Sequence, residues 1–251
     1  MPTVNEDRLK LYGGLLVMPP IMAKSLAAIQ PIAVPSPFTP ASLSGLALWL
    51  DATAITGLVD ADPVGTWSDL SGNGNDATQA TAAKKPTYKT NIQNGKPVVR
   101  FDGADDYLQT ATIGALAQPN TVCIVGALGV GDFLLDGGVG GTARHVLLDS
   151  GGFVSWSAGT VVSSTVATPI ALSVLTATFN GASSILRRNG AQIKAGNIGA
   201  QSCDGWTIGG RFNGATVLGG DIAEVVFCSG LLSDALITQV ENYYNSKWAI
   251  Y

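Results

Sequence analysis

Short apolar runs that alternate with glycine-, asparagine- and aspartate-rich turns constrain the fold of this chain more than any other feature. The runs recur at short intervals from Leu46 onward. Asn180-Gly181 and Asn189-Gly190 are typical of tight hairpin turns, in which both central residues need a positive φ. Because no helical apolar period lies between the runs, the pattern predicts an antiparallel β-sandwich or jelly roll and not a parallel α/β fold.

The apolar runs locate the predicted strands. The run at 221–227 is apolar on both faces except at Glu224, so this strand needs cover on both sides of its sheet. The predicted strands are 47–50, 98–101, 107–110, 122–128, 133–135, 145–148, 153–156, 171–179, 185–188, 207–209 and 222–227.

The end of the chain predicts one helix. Ser233 is a suitable N-cap, and Asp234 in the first turn suits the helix dipole. Leu236, Val240 and Tyr243 then fall on one apolar stripe. We expect a single C-terminal helix at about 233–247 that packs on the sandwich.

Composition supports a turn-rich β protein and excludes several functions. Gly accounts for 31 of 251 residues, and 15 of the 18 acidic residues are Asp, which favours turns. A net charge of −4 without a Lys/Arg-rich block argues against nucleic acid binding. The single histidine, His145, excludes a multi-histidine metal site. Cys123, Cys203 and Cys228 are predicted to be buried free thiols, which fits a reducing compartment.

Residues 1–44 differ from the rest of the chain. They hold seven of the 12 prolines, and Lys24 is the only charged residue between Leu11 and Leu50. Acidic residues near the start and prolines inside the apolar stretch argue against a secretory signal and against a membrane span. The prolines predict an extended strap, with residues 45–251 as the globular body.

The strap is apolar, so it must be buried either on its own body or on a partner. Both alternatives are open, and we expect an arm that anchors the body to a larger assembly. The predicted partner-binding residues of this arm are Leu15, Leu16, Val17, Met18, Ile21, Met22, Ile29, Ile32, Val34 and Phe38.

Several motifs of the body resemble laminin-G-like, concanavalin-A-type jelly-roll domains, over residues 46–250. The form that begins with LWLDA and ends with KW resembles domains of bacteriophage virion proteins. The resemblance implies a jelly-roll β-sandwich and leaves the function open, because members of this family bind glycans, bind calcium, decorate capsids or act as spacers. The matching motifs are LALWLDA (46–52), WSDLSGNGNDA (67–77), NGKPVVRFDGADDYL (94–108), WTIGGRFNG (206–214), GGDIAEVVF (219–227) and the segment 232–248.

Two Asp/Asn-rich loops are candidates for a calcium site. Asp102, Asp105 and Asp106 form one group, and the segment 69–76 holds another. Carboxylate and amide oxygens on converging loops can hold calcium, and some relatives of this fold bind it. Asp and Asn also bond their own backbone in turns, so we favour turn chemistry and predict no cofactor and no metal ligand.

No catalytic constellation is recognisable. His145 and Asp149 would lie about 13 Å apart along a strand, and nothing identifies a partner serine. We therefore expect that the chain is not an enzyme. For glycan binding, the aromatic candidate is Trp156, whose Ser- and Gly-rich neighbourhood would leave it exposed, whereas Trp67 and Trp206 are expected in the core.

These observations predict a non-enzymatic virion structural protein that is docked on capsid or tail proteins by residues 1–44. It would be made in the host cytoplasm and would form a dimer or a trimer. The alternative is a glycan-binding module, for instance a receptor-binding part of a phage tail. No membrane partner is expected.

Overall fold

The computed structural model describes residues 37–139 and 144–251, together with the backbone of two short strands, β1 (Leu11–Tyr12) and β2 (Leu15–Leu16). The chain divides into two compact units, Met1–Pro37 and Phe38–Tyr251. In the first unit, β1 and β2 pair antiparallel, with Leu11 opposite Leu16. The other residues of the predicted arm before Pro37 lie outside the described part of the chain.

The second unit is built from antiparallel strands and one α-helix. Its strands are β3 (Leu46–Asp51), β4 (Thr66–Trp67), β5 (Ala77–Thr78), β6 (Thr87–Gln93), β7 (Lys96–Asp102), β8 (Leu108–Gln109), β9 (Asn120–Leu128), β10 (Phe133–Asp136), β11 (Val146–Ser150), β12 (Phe153–Ser157), β13 (Val161–Ala167), β14 (Ile170–Phe179), β15 (Ser184–Arg188), β16 (Ala191–Gly196), β17 (Thr207–Ile208) and β18 (Gly219–Cys228). Its helix α1 spans Asp234–Trp248.

Two sheets pack face to face as a jelly-roll β-sandwich. The first sheet has the order β16-β15-β14-β9-β18-β7-β6, and β3 also pairs with β18. The second sheet has the order β13-β12-β11-β10-β17-β8-β5-β4. The predicted all-β sandwich with one C-terminal helix is confirmed. No helix in the described ranges is both long enough and apolar enough to cross a membrane.

The main core lies between the two sheets and follows the strand alternation. Side chains of the second sheet that face inward form one cross-strand row, in which a fully buried Leu or Ile contributes about 1.5–3 kcal/mol. The members of this row are Val162, Trp156, Leu147, Leu135, Ile208, Leu108, Ala77 and Trp67.

Helix α1 covers the face of the first sheet that points away from this core. Ser233 caps the helix by accepting a hydrogen bond from the Leu236 backbone N–H, and Ala249 ends it in the left-handed conformation at φ 50°. Ile237, Val240 and Trp248 are buried against the first sheet in a second apolar cluster. The helix prediction is confirmed. The observed helix begins and ends one residue later than predicted.

Two details of the fold differ from the sequence prediction. Asn180-Gly181 is not a two-residue hairpin turn, because Asn180 has a φ of −144° and a short 3-10 turn follows at Gly181–Ser183. Phe38 belongs to the predicted arm but lies in the second unit, where its ring meets the ring of Tyr243 edge-on at 6.1 Å. This aromatic contact places Phe38 on the body of its own chain. For this residue the structure therefore agrees with burial on the body and not with burial on a partner.

Candidate functional site

The candidate site lies on the outer face of the second sheet, which points away from the core. Residues paired directly across neighbouring strands place their side chains on the same face of a sheet. The pairing forms one continuous outer row across all eight strands, from an apolar residue on β13 to a polar residue on β4. This outer row consists of Val161, Ser157, Val146, Asp136, Thr207, Gln109, Thr78 and Thr66.

An open cavity of about 340 Å³ lies at the β10–β13 end of this face. Its apolar lining comes from Phe133, Val146, Leu148 and Val161, and Val161 is 48% exposed. Arg144, Ser157 and Gln201 supply polar side chains beside the apolar ones, and Gly159 completes the lining.

Asp136 is a buried carboxylate at the centre of the outer row. It has no exposed surface; its Oδ2 accepts a hydrogen bond from the Phe212 backbone N–H at 3.1 Å, and its Oδ1 has no partner in the described structure. Burial raises the pKa of Asp136 to about 6, against the opposing effects of the Phe212 N–H and of the positive charges on Arg144 and Arg211. The carboxyl group therefore titrates close to neutral pH.

The ring of Phe212 lies against two arginines. The Cζ atom of Arg144 is 4.5 Å from the ring centroid, and that of Arg211 is 5.6 Å away. Cations at these distances are attracted to the face of an aromatic ring. Arg144 also lines the cavity, so its contact with Phe212 lies beside the open space.

Glycine allows the segment 209–218 to cross the outer face. Gly209 has a φ of +73°, and a Cβ at this position would lie 2.2 Å from Cε1 of Phe101. Its N–H donates to the Leu134 carbonyl, and its own carbonyl accepts from the Leu218 N–H. The segment is therefore closed onto β10 at its start, which brings the Phe212 backbone N–H to Asp136.

Trp156 does not contribute to this surface. It belongs to the inner row, it has no exposed surface, and it packs in the main core. The alternation along β12 explains the error, because Ser155 and Ser157 take the outward positions and Trp156 must therefore point inward. The expected exposed stacking platform at Trp156 is wrong, whereas the expected burial of Trp67 and Trp206 is confirmed.

His145 lies next to Arg144 but points into the sandwich. Its Nε2 bonds the Gln201 carbonyl at 2.8 Å, so Nε2 carries the proton, and the ring stacks on Phe179 with centroids 4.4 Å apart. Burial lowers the pKa of His145 to about 4. The histidine is therefore a neutral core residue. Asp149 is occupied elsewhere, accepting bonds from Gly131 N–H and the Thr168 hydroxyl.

The two acidic loops behave as turns. Asp102 Oδ1 accepts from the Ala104 and Asp105 backbone N–H groups, and Asp106 Oδ2 accepts from the Asp102 N–H. Asp69 similarly accepts from four groups of its own loop and of β3, and Asp76 accepts from the Asp69 N–H. Within the described residues, the grouped carboxylates are those of the 102–106 loop, and the Asp69 loop does not join them.

The predicted arm residues give no site in the described structure. Leu15 and Leu16 form β2, Phe38 packs on the body, and the residues from Val17 to Val34 lie outside the described ranges. Their role in partner binding stays a prediction. Arg144, Arg211 and Phe212 were missed at the sequence level. The only feature of the sequence that could have pointed to them is the Arg211-Phe212 pair in a glycine-rich stretch. Arg144 is distant in the sequence and reaches Phe212 only through strand pairing.

Comparison with known proteins identifies a fold and no family. No family model matches the chain, and no curated protein matches it. Among solved structures, Trypanosoma rangeli sialidase in complex with the inhibitor DANA matches with a TM-score of 0.55 and 15% identity, covering 83% of this chain and 35% of that chain. The chain thus spans about a third of the length of the sialidases that it matches.

Two further matches are parts of larger proteins. Domain 4 of AbnA, an extracellular arabinanase from Geobacillus stearothermophilus, solved in complex with arabinotriose, has a TM-score of 0.53 and 12% identity, covering 73% of this chain and 100% of that chain. The binding domain of Paraclostridial Mosquitocidal Protein 1 has a TM-score of 0.53 and 13% identity, covering 82% of this chain and 53% of that chain. These likenesses establish the shared β-sandwich.

The sialidase matches overturn the prediction that the chain is not an enzyme. One of them was solved as a covalent intermediate with 2,3-difluorosialic acid, at 16% identity. That prediction relied on the lack of a catalytic motif, and glycosidases need only two carboxylates across a cleft, which no short motif reveals. In a chain with many aspartates, the lack of a catalytic sequence motif therefore does not exclude catalysis.

Proposed function

We propose that this chain binds carbohydrate through the cavity on the outer face of the second sheet. The observation that carries the proposal is the mixed lining of this cavity. Val146, Leu148 and Val161 offer apolar surface to the C–H face of a sugar ring. Arg144 and Gln201 offer hydrogen-bond groups to its hydroxyls. Apolar walls with a few placed polar groups are typical of small-molecule sites.

The fold comparisons support this proposal. One matched domain was solved with arabinotriose, and another is described as a binding domain, each at low identity. A cavity of about 340 Å³ is near the lower end of the range for ligand sites, which suits a short saccharide unit.

A glycan array with the full chain and two tryptophan variants tests this function. Val161→Trp places a large side chain at the mouth of the cavity, on a residue that is 48% exposed. Val59→Trp is the matched control, because Val59 is 68% exposed and does not line the cavity. We expect the wild type and Val59→Trp to bind the same saccharides, and Val161→Trp to lose them.

Two outcomes would contradict the proposal. A wild-type chain that binds no saccharide on the array would refute carbohydrate binding. Equal binding by Val161→Trp, with thermal unfolding unchanged in both variants, would place the sugar site away from this cavity.

Docking to a virus capsid or tail through residues 1–44 stays a prediction from the sequence. None of the matched structures described above is a virion protein by its description. The same holds for a dimeric or trimeric state. Deletion of residues 1–44 followed by sedimentation analysis would test whether this segment carries self-association.

A further inference from the structure

We propose that the saccharide recognised at this cavity carries a carboxylate, and that Arg144 is the residue that binds it. This inference rests on the proposed function and names the substrate class of the same site. The arginines of the chain differ in whether their guanidinium groups donate hydrogen bonds to other residues.

The arginines at the site differ from the other arginines in the described structure. Arg100 pairs with Asp221 through two bonds at 2.7 and 2.8 Å, and Arg187 pairs with Glu241. Arg188 donates to the Ser173 hydroxyl. Within the described ranges, the guanidinium groups of Arg144 and Arg211 donate no hydrogen bond, and Nε of Arg211 is buried without a partner.

The local charge favours an anion. The chain as a whole has a net charge of −4, yet two guanidinium groups flank Phe212 here with a single carboxyl group beside them. That carboxyl group, on Asp136, is buried and forms no ion pair within 4.0 Å of a described arginine. The site therefore keeps an excess of positive charge that a ligand carboxylate would neutralise.

The contact with Phe212 prepares Arg144 for a carboxylate. A cation–π contact uses the charge of the guanidinium and leaves its N–H donors unused. A planar guanidinium held against a ring is well suited to two parallel bonds with a carboxylate, and its preorganisation reduces the entropy lost on binding. Arg144 lines the cavity, so its donors are within reach of a bound sugar.

Calorimetric titration with paired ligands tests this inference. The probes are oligosaccharides that end in a hexuronate or a sialic acid, each paired with its carboxyl methyl ester, which has the same sugar without the charge. We expect the wild-type chain to bind a free acid at least about tenfold more tightly than its ester. Raising the salt concentration should reduce this preference.

Three variants assign the preference to Arg144. Arg144→Gln should remove it, and Arg144→Lys should keep only part of it, because an ammonium is a point charge without the planar fork. Lys194→Gln is the matched control: Lys194 is exposed on β16 of the other sheet, and its loss removes the same charge. We expect this control to retain the full preference.

The outcomes separate this inference from the proposed function. Equal affinity for acid and ester, with both lost in Val161→Trp, would overturn the inference and leave carbohydrate binding intact. A preference that survives in Arg144→Gln would also overturn it. If neither these probes nor the neutral sugars of the array bind, the proposed function fails, and this inference fails with it.

Discussion

Each sheet of the sandwich carries one fully buried carboxylate on its outer face, and the two differ in how many partners they have. Glu224, on β18 of the first sheet, accepts bonds from the indole N–H groups of Trp49 and Trp248, from the Tyr243 hydroxyl and from the Lys247 ammonium, at 2.8 to 3.1 Å. Asp136, on the second sheet, accepts one bond from a backbone N–H.

In the proposed function, this difference separates a structural surface from a binding surface. Lys247 bridges Glu224 and Asp51, so both carboxylates under helix α1 have a cationic partner from the same chain. Within the described residues, the outer face of the second sheet instead has an unpartnered carboxylate oxygen, two guanidinium groups that donate no hydrogen bond, and an open cavity. Native proteins rarely leave buried charged groups without partners, so the unpartnered Asp136 Oδ1 and Arg211 Nε beside one cavity support the proposed ligand site.

The largest effect is expected when the Glu224 network is broken. Glu224→Gln removes one of the two carboxylates that Lys247 bridges and replaces one acceptor oxygen with a donor that faces other donors. Lys247 keeps Asp51 as a partner, but each buried donor that loses its acceptor costs about 1–3 kcal/mol, so the whole change costs about 3 kcal/mol. We expect a loss of that size in the free energy of unfolding, measured by urea denaturation at pH 7. A loss below about 1 kcal/mol would show that the network contributes little.

Asp136→Asn should behave in the opposite way. The pKa of Asp136 is raised in the folded state to about 6, so its ionised form is disfavoured in the folded chain at pH 7. A neutral amide removes that cost, and we expect stability to be unchanged or to rise by up to about 3 kcal/mol.

The pH dependence supplies the control for this variant. Because the pKa of this carboxyl is higher in the folded than in the unfolded chain, folding favours its protonated form. The free energy of unfolding that this preference adds at low pH is lost by the time the pH has risen through about 6. The difference between Asp136→Asn and the wild type should therefore shrink as the pH falls from 7 towards 4. Urea denaturation at several pH values measures it, and a constant difference would contradict the burial of this charge.

A smaller effect is expected at the base of the segment that carries Phe212. Gly209→Ala places a Cβ 2.2 Å from the Phe101 ring at a φ of +73°, and overpacking with backbone strain costs about 1–3 kcal/mol. Gly72→Ala is the matched control, since Gly72 also has a positive φ, +87°, but has open space around it. Thermal unfolding should separate the two variants, and equal losses would refute the clash.

Local patterns were sufficient to predict the elements that have strong sequence signals. The strand at 222–227 and the helix after Ser233 are both present, because an apolar run and an N-cap act within a few residues. In the second unit, the prediction missed β4, β5, β6, β13 and β16, since these strands are short or have a weak apolar pattern and their pairing partners determine their structure.

The candidate site could not be predicted in the same way. The sequence around Trp156 indicates a small, polar neighbourhood but does not show which face of β12 points outward; that depends on the register with β11 and β13. Arg144 and Phe212 are far apart in the chain and meet only through that register and the turn at Gly209. Long-range pairing, and not local propensity, therefore creates the site.

The central claim is that the two outer faces have different roles, and backbone amide NMR with a bound saccharide tests it most directly. Isotopically labelled chain would be titrated with the tightest-binding saccharide from the array. We expect shift changes at Val146, Leu148, Ser157 and Val161, with the amides of helix α1 unchanged. Shift changes confined to helix α1 or to the 102–106 loop, with the cavity residues unchanged, would contradict the account.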